Sequence, residues 1–172
     1  MLALLLVGCP KPKATEAAPD LVSPDAAGAP VATGRVLDGA YVDGAYPLSV
    51  AVPPGWVAVP GADASAVRVV LQDPEGDVTV SIVGVRGDVL APRPLPGCTW
   101  TFVDTARYRA VKVRGAVLAA TCTPEDAAGA RVLTYVVAQE GMLWNVEGRV
   151  PQGHLRARKL DLDVIAGGVR FR

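Results

Sequence analysis

The chain has 172 residues with 17 basic and 17 acidic side chains, so its formal net charge is zero, and 51% of its residues are apolar. A neutral chain of this length holds one domain with a real core, and it lacks the overall positive charge of a nucleic-acid-binding protein. The second half is richer in basic residues, among them Arg107, Arg109 and Lys112. No aromatic residues alternate with them as a platform for stacked bases requires, so we predict no nucleic-acid binding.

The chain opens on a short apolar run that ends at a cysteine. Leu6-Val7-Gly8-Cys9 has the pattern of a bacterial lipobox, where a signal peptide is removed and the cysteine sulfur receives a diacylglyceryl group. The run is too short for a membrane-spanning helix, which needs about 20 residues, and Pro10 rules out its continuation as a core strand. No positively charged segment precedes it. We therefore predict a truncated lipoprotein signal peptide at residues 1–8, with Cys9 as the lipidation site.

The predicted lipid anchor also predicts where the protein is located in the cell. Several acyl chains on one cysteine hold a protein stably on a membrane. Pro10 stands where an aspartate usually retains lipoproteins at the inner membrane, so we predict the bacterial outer membrane, with the domain facing the periplasm. Residues 9–33 are rich in Pro, Ala, Lys and Asp and bury too little apolar surface to fold, which predicts a disordered tether. The folded domain is predicted at residues 34–172.

Most of the predicted domain consists of strands. Apolar and polar residues alternate at 48–52, and the turn Pro53-Pro54-Gly55 follows. Two runs at 67–71 and 78–82 flank the turn signal at 73–77, which predicts a hairpin. Two further strands are predicted at 108–113 and 117–121, joined at Arg114-Gly115.

Residues 131–138 and 142–150 predict the clearest hairpin and its register. A two-residue turn at Glu140-Gly141 places Val137 opposite Trp144 and Tyr135 opposite Val146, so we predict that these rings lie in the core. The other side of the pair is predicted to face solvent; it carries Val132, Thr134, Val136, Asn145, Glu147 and Arg149.

One helix is predicted near the end of the sequence. Leu155, Leu162 and Ile165 recur at helical spacing after Pro151, and Gly167-Gly168 ends the pattern. Three further residues are predicted to widen its apolar stripe: Ala157, Leu160 and Val164. A short strand at 169–171 is predicted to rejoin the sheet. The predicted fold class is α+β: a mostly antiparallel sheet of about six strands, with the C-terminal helix packed on one face.

Two cysteines remain once Cys9 is assigned to lipid. Cys98 and Cys122 form an even pair in an oxidising compartment, which predicts a disulfide. If the strands after Cys98 and before Cys122 are antiparallel neighbours, both thiols reach the same end of the pair. The alternative is a metal site, but two distant cysteines and a lone His154 do not make a zinc ligand set. We predict the disulfide, with no metal and no cofactor.

The tandem segments Asp38-Gly39-Ala40-Tyr41-Val42 and Asp43-Gly44-Ala45-Tyr46-Pro47 are a further feature. Two copies are too few for a repeat architecture. Coincidence is the simplest interpretation, and a first strand of the domain or an adhesive part of the tether is the alternative.

The order of these elements resembles the PsbP-like fold, which includes the photosystem II extrinsic protein and many small bacterial lipoproteins. The resemblance rests on residues 46–56, YPLSVAVPPGW, on the turn at Asp73-Pro74, and on the late hairpin, helix and closing strand. Relatives usually carry a longer helical insertion where this chain has residues 87–96 with three prolines, and the disulfide is not part of the family pattern. The family is functionally mixed, so the resemblance implies a fold and no activity.

Two classes of function remain open. The sequence favours a non-catalytic lipoprotein that binds an unknown protein partner or helps to assemble or maintain the envelope. The alternative is a carboxylate-based periplasmic hydrolase, since acidic residues are plentiful. A serine or cysteine hydrolase needs a base beside its nucleophile, and the only histidine, His154, lies in a predicted helix-start loop. Asp73, Glu75 and Asp77 could suggest calcium, but Pro74 and the short span favour a turn.

Overall fold

The computed structural model describes residues 32–62, 65–103, 117–124 and 129–171. The predicted signal peptide 1–8, the lipidation site Cys9, residues 10–31 of the predicted tether and the predicted strand 108–113 lie outside the described residues. Eleven strands and one helix occur in the described residues: β1 Gly34–Leu37, β2 Ala40–Asp43, β3 Leu48–Ala51, β4 Val57–Pro60, β5 Val67–Gln72, β6 Thr79–Arg86, β7 Thr101–Val103, β8 Val117–Cys122, β9 Ala130–Gln139, β10 Met142–Pro151, α1 Leu155–Gly167 and β11 Val169–Phe171.

The strands form two antiparallel sheets, so the prediction of one sheet of about six strands was wrong. A small sheet has the order β1-β2-β3-β11, and a large sheet has the order β4-β5-β6-β10-β9-β8-β7. The α+β class is confirmed: the described strands are antiparallel and one C-terminal helix follows them. The strand count was too low in part because β1 and β4 have only four residues each, too few for alternation to show.

The predicted register of the β9–β10 hairpin is confirmed at every pair. Trp144 lies opposite Val137, Val146 opposite Tyr135, and the turn falls at Glu140 and Gly141. Both turn residues have positive φ, 51° and 73°, as the two-residue turns that match strand twist require. The β5–β6 hairpin around residues 73–78 is confirmed as well.

One core lies between the two sheets and the helix. We call the side of the large sheet that carries Trp144 and Tyr135 the inner face; both residues are only 2% exposed, as predicted. Tyr41 and Leu48 of the small sheet, and Leu162 of the helix, belong to the same buried cluster. Gly148 permits the helix contact, because a Cβ there would lie 2.5 Å from a Leu162 methyl carbon.

The helix has a narrower buried stripe than predicted. Leu162 and Ile165 are buried, but Leu160 is 69% and Val164 57% exposed and Ala157 is exposed too, so the prediction that these three widen the stripe was wrong. These residues lie on the side of the helix turned away from Leu162, which follows from 100° per residue. No helix among the described residues is long and apolar enough to cross a membrane.

The opposite side of the large sheet, which we call the outer face, is not the open solvent face that was predicted. Thr134 and Asn145 are fully buried there, and Glu147 is 7% exposed. Residues 87–100, which we call the strap, hold this face at Arg93: its backbone N–H donates to Asn145 Oδ1 at 3.0 Å, and its guanidinium pairs with Glu147. Trp100 Nε1 donates back to the Arg93 carbonyl at 3.2 Å.

Candidate binding cleft and its supporting ion pair

An aromatic cleft opens where the small sheet meets the tip of the β9–β10 hairpin. The Tyr46 and Trp144 rings meet edge to face with centroids 5.3 Å apart, and the Phe171 ring lies 5.7 Å from Trp144. The cavity measures about 290 Å³. Its walls are mostly rings, a proline and a thioether, with two polar side chains from the hairpin tip: Ala45, Tyr46, Pro47, Gln139, Glu140, Met142, Trp144 and Phe171.

Three separate chain segments position the cleft. Trp144 is on β10, Phe171 is on β11, and Tyr46 is in the turn between β2 and β3. Gly84 on β6 lies opposite Trp144, and a Cβ there would come within 2.8 Å of the indole. The missing side chain at Gly84 therefore leaves the space that the indole occupies.

The second tandem segment builds the turn that carries Tyr46. Asp43 Oδ1 accepts hydrogen bonds from the backbone N–H groups of Ala45 and Tyr46, at 2.8 and 2.9 Å. This side-chain-to-backbone pattern is a common way for aspartate to close a turn. In the first segment, Asp38 and Gly39 form the β1–β2 turn with positive φ, and Tyr41 is buried. The two copies thus have different structural roles.

A buried ion pair lies behind the cleft. Arg68 donates from Nε to Asp43 Oδ2 at 2.7 Å and from Nη2 to Asp43 Oδ1 at 3.0 Å. The Arg68 guanidinium carbon is 5.0 Å from the Tyr46 ring centroid, a cation–π distance. The Arg68 and Asp43 side chains are 5% and 0% exposed. Because Arg68 also contacts the Tyr46 ring, the buried pair supports one wall of the cleft.

Two hydroxyl groups complete this cluster. Tyr41 donates to Asp43 Oδ2 at 2.8 Å and also lies 2.9 Å from the Thr33 hydroxyl. The Thr33 hydroxyl in turn donates to the Arg68 carbonyl. Thr33, the last residue of the predicted tether, is therefore buried in the domain with 1% exposure.

The surroundings of the cluster shift its pKa values. Burial alone would raise the Asp43 pKa, but hydrogen bonds from Arg68, Tyr41 and two backbone N–H groups outweigh it, so the pKa falls below 3.8. Burial is also the main reason that the pKa of Tyr41 rises to about 12. The hydrogen bond to Asp43 raises the pKa of Arg68. Asp43 and Arg68 therefore stay charged, and Tyr41 stays neutral, across the physiological pH range.

Two of the three carboxylates that could have suggested calcium, Asp73 and Glu75, have structural partners. Asp73 Oδ1 accepts the Val78 N–H at 3.0 Å, which closes the β5–β6 turn, and Asp73 and Glu75 both pair with Arg158. Among the described residues, no group of three or more His, Cys, Asp or Glu side chains could hold a metal ion. His154 lies directly before α1, where the sequence placed it, and is exposed.

The predicted disulfide between Cys98 and Cys122 is present, with the Cα atoms 5.6 Å apart. β7 and β8 are antiparallel neighbours, with Thr101 opposite Thr121, which is the arrangement that the prediction required. The bond attaches the strap to β8. The disulfide thereby holds the strap against the outer face of the large sheet.

The sequence analysis missed both the cleft and the ion pair. Trp144 was assigned to the core correctly, but nothing in the sequence joined it to Tyr46 and Phe171. One signal was present: Arg68 interrupts the apolar run 67–71, and an arginine inside a buried strand needs a carboxylate partner. The tandem segment supplied that carboxylate at Asp43.

No family model matches the chain, and no curated protein matches it. Among solved structures, it is similar to the solution structure of cyanobacterial PsbP (CyanoP) from Synechocystis sp. PCC 6803. The two share 15% identity with a TM-score of 0.50, over 84% of this chain and 96% of that one. At this identity the likeness concerns the fold alone. The two packed sheets, the C-terminal helix and the closing strand thus form a PsbP-like fold, as the order of elements in the sequence predicted.

Proposed function

We propose that this protein is a lipid-anchored, non-catalytic binding protein of the bacterial envelope, and that its domain binds a protein partner through the aromatic cleft. The observation that carries the proposal is the chemistry of the cleft wall. Tyr46, Met142, Trp144 and Phe171 offer apolar and π surface, which binds side chains well.

The volume and setting of the cleft favour a protein partner. About 290 Å³ is at the lower limit of cavities that enclose small molecules, and it suits one or two large apolar side chains. Trp144 is held by the core below it and Tyr46 by the Asp43 turn. A preformed wall of this kind lowers the entropic cost of binding.

The buried carboxylates support binding rather than hydrolysis. Asp43 pairs with Arg68, Glu147 with Arg93, and Asp163 with Lys159. A general acid needs a raised pKa, whereas the pKa of Asp43 is lowered. Each of these carboxylates has a basic partner, which suits a structural role.

Site-specific photo-cross-linking in the native bacterium tests the partner. A photoreactive residue at Gln139, on the cleft wall, is expected to give a discrete adduct of higher mass. The matched control is the exposed residue Gln72 on β5, which does not line the cleft and is expected to give none. A Tyr46→Ala change in the Gln139 variant should reduce the adduct several-fold, since about 1.4 kcal/mol of lost contact is a factor of ten in affinity. Equal adducts from both positions, or none from Gln139, would contradict the proposal.

Replacement of Cys9 by Ser in the full-length gene tests the anchor. The wild-type protein is expected in the membrane fraction with incorporated radiolabelled palmitate. Cys9→Ser should lose the label and accumulate as unprocessed precursor, because the sulfur that accepts the lipid is gone. Cys98→Ser/Cys122→Ser is the control, since it removes the two disulfide cysteines and leaves Cys9. Undiminished palmitate label in Cys9→Ser would rule out this residue as the lipidation site.

A further inference from the structure

A second, polar cavity lies between the strap and the outer face of the large sheet. It measures about 80 Å³, more than the roughly 30 Å³ that one water occupies in the liquid. Thr79 and Ser81 of β6, Arg93 of the strap, and Glu147 and Arg149 of β10 line it. It is on the opposite side of the sheet from the aromatic cleft, and the proposed function does not use it.

The cavity has an excess of positive charge. Arg93 meets Glu147 in a two-pronged ion pair, with Nε–Oε1 at 2.5 Å and Nη2–Oε2 at 2.8 Å, so these two charges cancel. Nη1 of Arg93 has no partner among the described residues. Arg149 is exposed and has no ion pair or hydrogen bond within the described part of the chain. Asp77 shares the neighbouring surface hollow with Arg149 but forms no salt bridge with it.

Hydroxyl groups add neutral donors to the same space. Thr79 lies opposite Arg149 and Ser81 opposite Glu147 in the β6–β10 register, and all four residues line the cavity. On the other side of Glu147, Thr134 of β9 is in register with it and is fully buried. The Thr134 hydroxyl has no hydrogen-bond partner among the described residues. A buried polar group without a partner is unusual; Thr134 does not itself line the cavity.

We propose that this cavity binds a phosphate group. A phosphate offers several acceptor oxygens around one centre, and here the donors come from three segments: the hydroxyls of β6, Arg149 of β10 and Nη1 of Arg93. Arginine and phosphate form charge-assisted hydrogen bonds, which are stronger than neutral ones. Arg149 is the principal binding group, because it forms no ion pair with a carboxylate of the described residues.

The strap makes the cavity a preformed site. The Cys98–Cys122 bond, the Arg93–Glu147 pair and the bond from Trp100 to the Arg93 carbonyl hold the strap against the sheet. The site therefore needs little reorganisation on binding. The phosphate group can belong to free inorganic phosphate or to an anionic lipid headgroup, and both use the same donors.

Calorimetric titration of the oxidised protein with inorganic phosphate, at constant ionic strength and pH 7, tests the site. Saturable one-site binding is expected. Arg149→Gln should weaken it by about tenfold or more, the equivalent of one charge-assisted contact. Arg131→Gln is the matched control: it removes the same charge from an exposed arginine of β9 that does not line the cavity. It should leave the affinity within about twofold, a difference of less than 0.5 kcal/mol.

Binding to lipid vesicles distinguishes an anionic lipid headgroup from free inorganic phosphate as the ligand. Co-sedimentation uses vesicles of phosphatidylcholine with and without phosphatidylglycerol. Binding that requires phosphatidylglycerol, is displaced by inorganic phosphate and is lost in Arg149→Gln assigns the site to a lipid headgroup. Phosphate binding without vesicle binding assigns it to the free ion. Absence of saturable phosphate binding, or equal weakening by Arg149→Gln and Arg131→Gln, would overturn the proposal.

Discussion

Asp43→Asn is expected to lower the free energy of unfolding by about 3–5 kcal/mol, the usual cost of leaving one charge of a buried pair without its partner. Arg68, only 4% exposed, would keep its charge and lose its carboxylate partner, and an NH2 donor would replace one of the two oxygens that accept from its guanidinium. Asparagine has nearly the same shape as aspartate, so the loss reports the charge rather than a cavity. Urea denaturation followed by tryptophan fluorescence measures it.

Two further variants make this result specific. Glu75→Gln removes a carboxylate that is 68% exposed and paired with Arg158, and it should cost less than about 1 kcal/mol. Asp43→Leu with Arg68→Met removes both buried charges, and it should cost less than Asp43→Asn alone. If Asp43→Asn cost no more than Glu75→Gln, the ion pair would not stabilise the domain.

The same variant should change the response to acid. The folded-state pKa of Asp43 lies below its ordinary value of 3.8, so this carboxylate stabilises the fold fully above that value. The contribution disappears as the pH falls below 3.8 through the folded-state pKa. In wild type, unfolding free energy should therefore drop below about pH 4. Asp43→Asn should lack this part of the drop, and parallel curves for the two proteins would contradict the assignment.

Cys98→Ser/Cys122→Ser is expected to destabilise the domain by about 3–4 kcal/mol, because the bond closes a loop across a sequence separation of 24 residues and restricts the unfolded chain. Replacement of both cysteines avoids a free thiol. Wild-type protein with added reductant should show the same loss, whereas the double variant should not respond to reductant. Two free thiols in the denatured, unreduced wild-type domain would show that the bond does not form.

The β9–β10 hairpin was predictable from sequence because its signals are local. A period of two runs through ten-residue strands, and Glu140-Gly141 marks the turn. The two-sheet arrangement was not predictable, because it depends on pairings between distant residues. β11 has three residues and joins β3 rather than the large sheet. Nothing within so short a segment indicates its partner.

The buried ion pair and the cavity under the strap could not be predicted from the sequence for related reasons. Asp43 and Arg68 are 25 residues apart and belong to different sheets, so only the folded chain brings them together. The alternation on β10 correctly separated two faces, but it could not show that the strap covers the polar one. The strap is irregular and has prolines at 92, 94 and 96. Its sequence therefore has no periodic pattern that would indicate which residues it packs against.

The pairing of β11 with β3 delays completion of the small sheet until late in synthesis. The small sheet needs strands from both ends of the described chain, and the Phe171 wall of the cleft comes with the last of them. Synthesis proceeds from the N-terminus, so β1 to β3 must wait for β11 before the core can close. Pairings of such long range fold slowly. The cleft can therefore form only after β11 has been synthesised and has paired with β3.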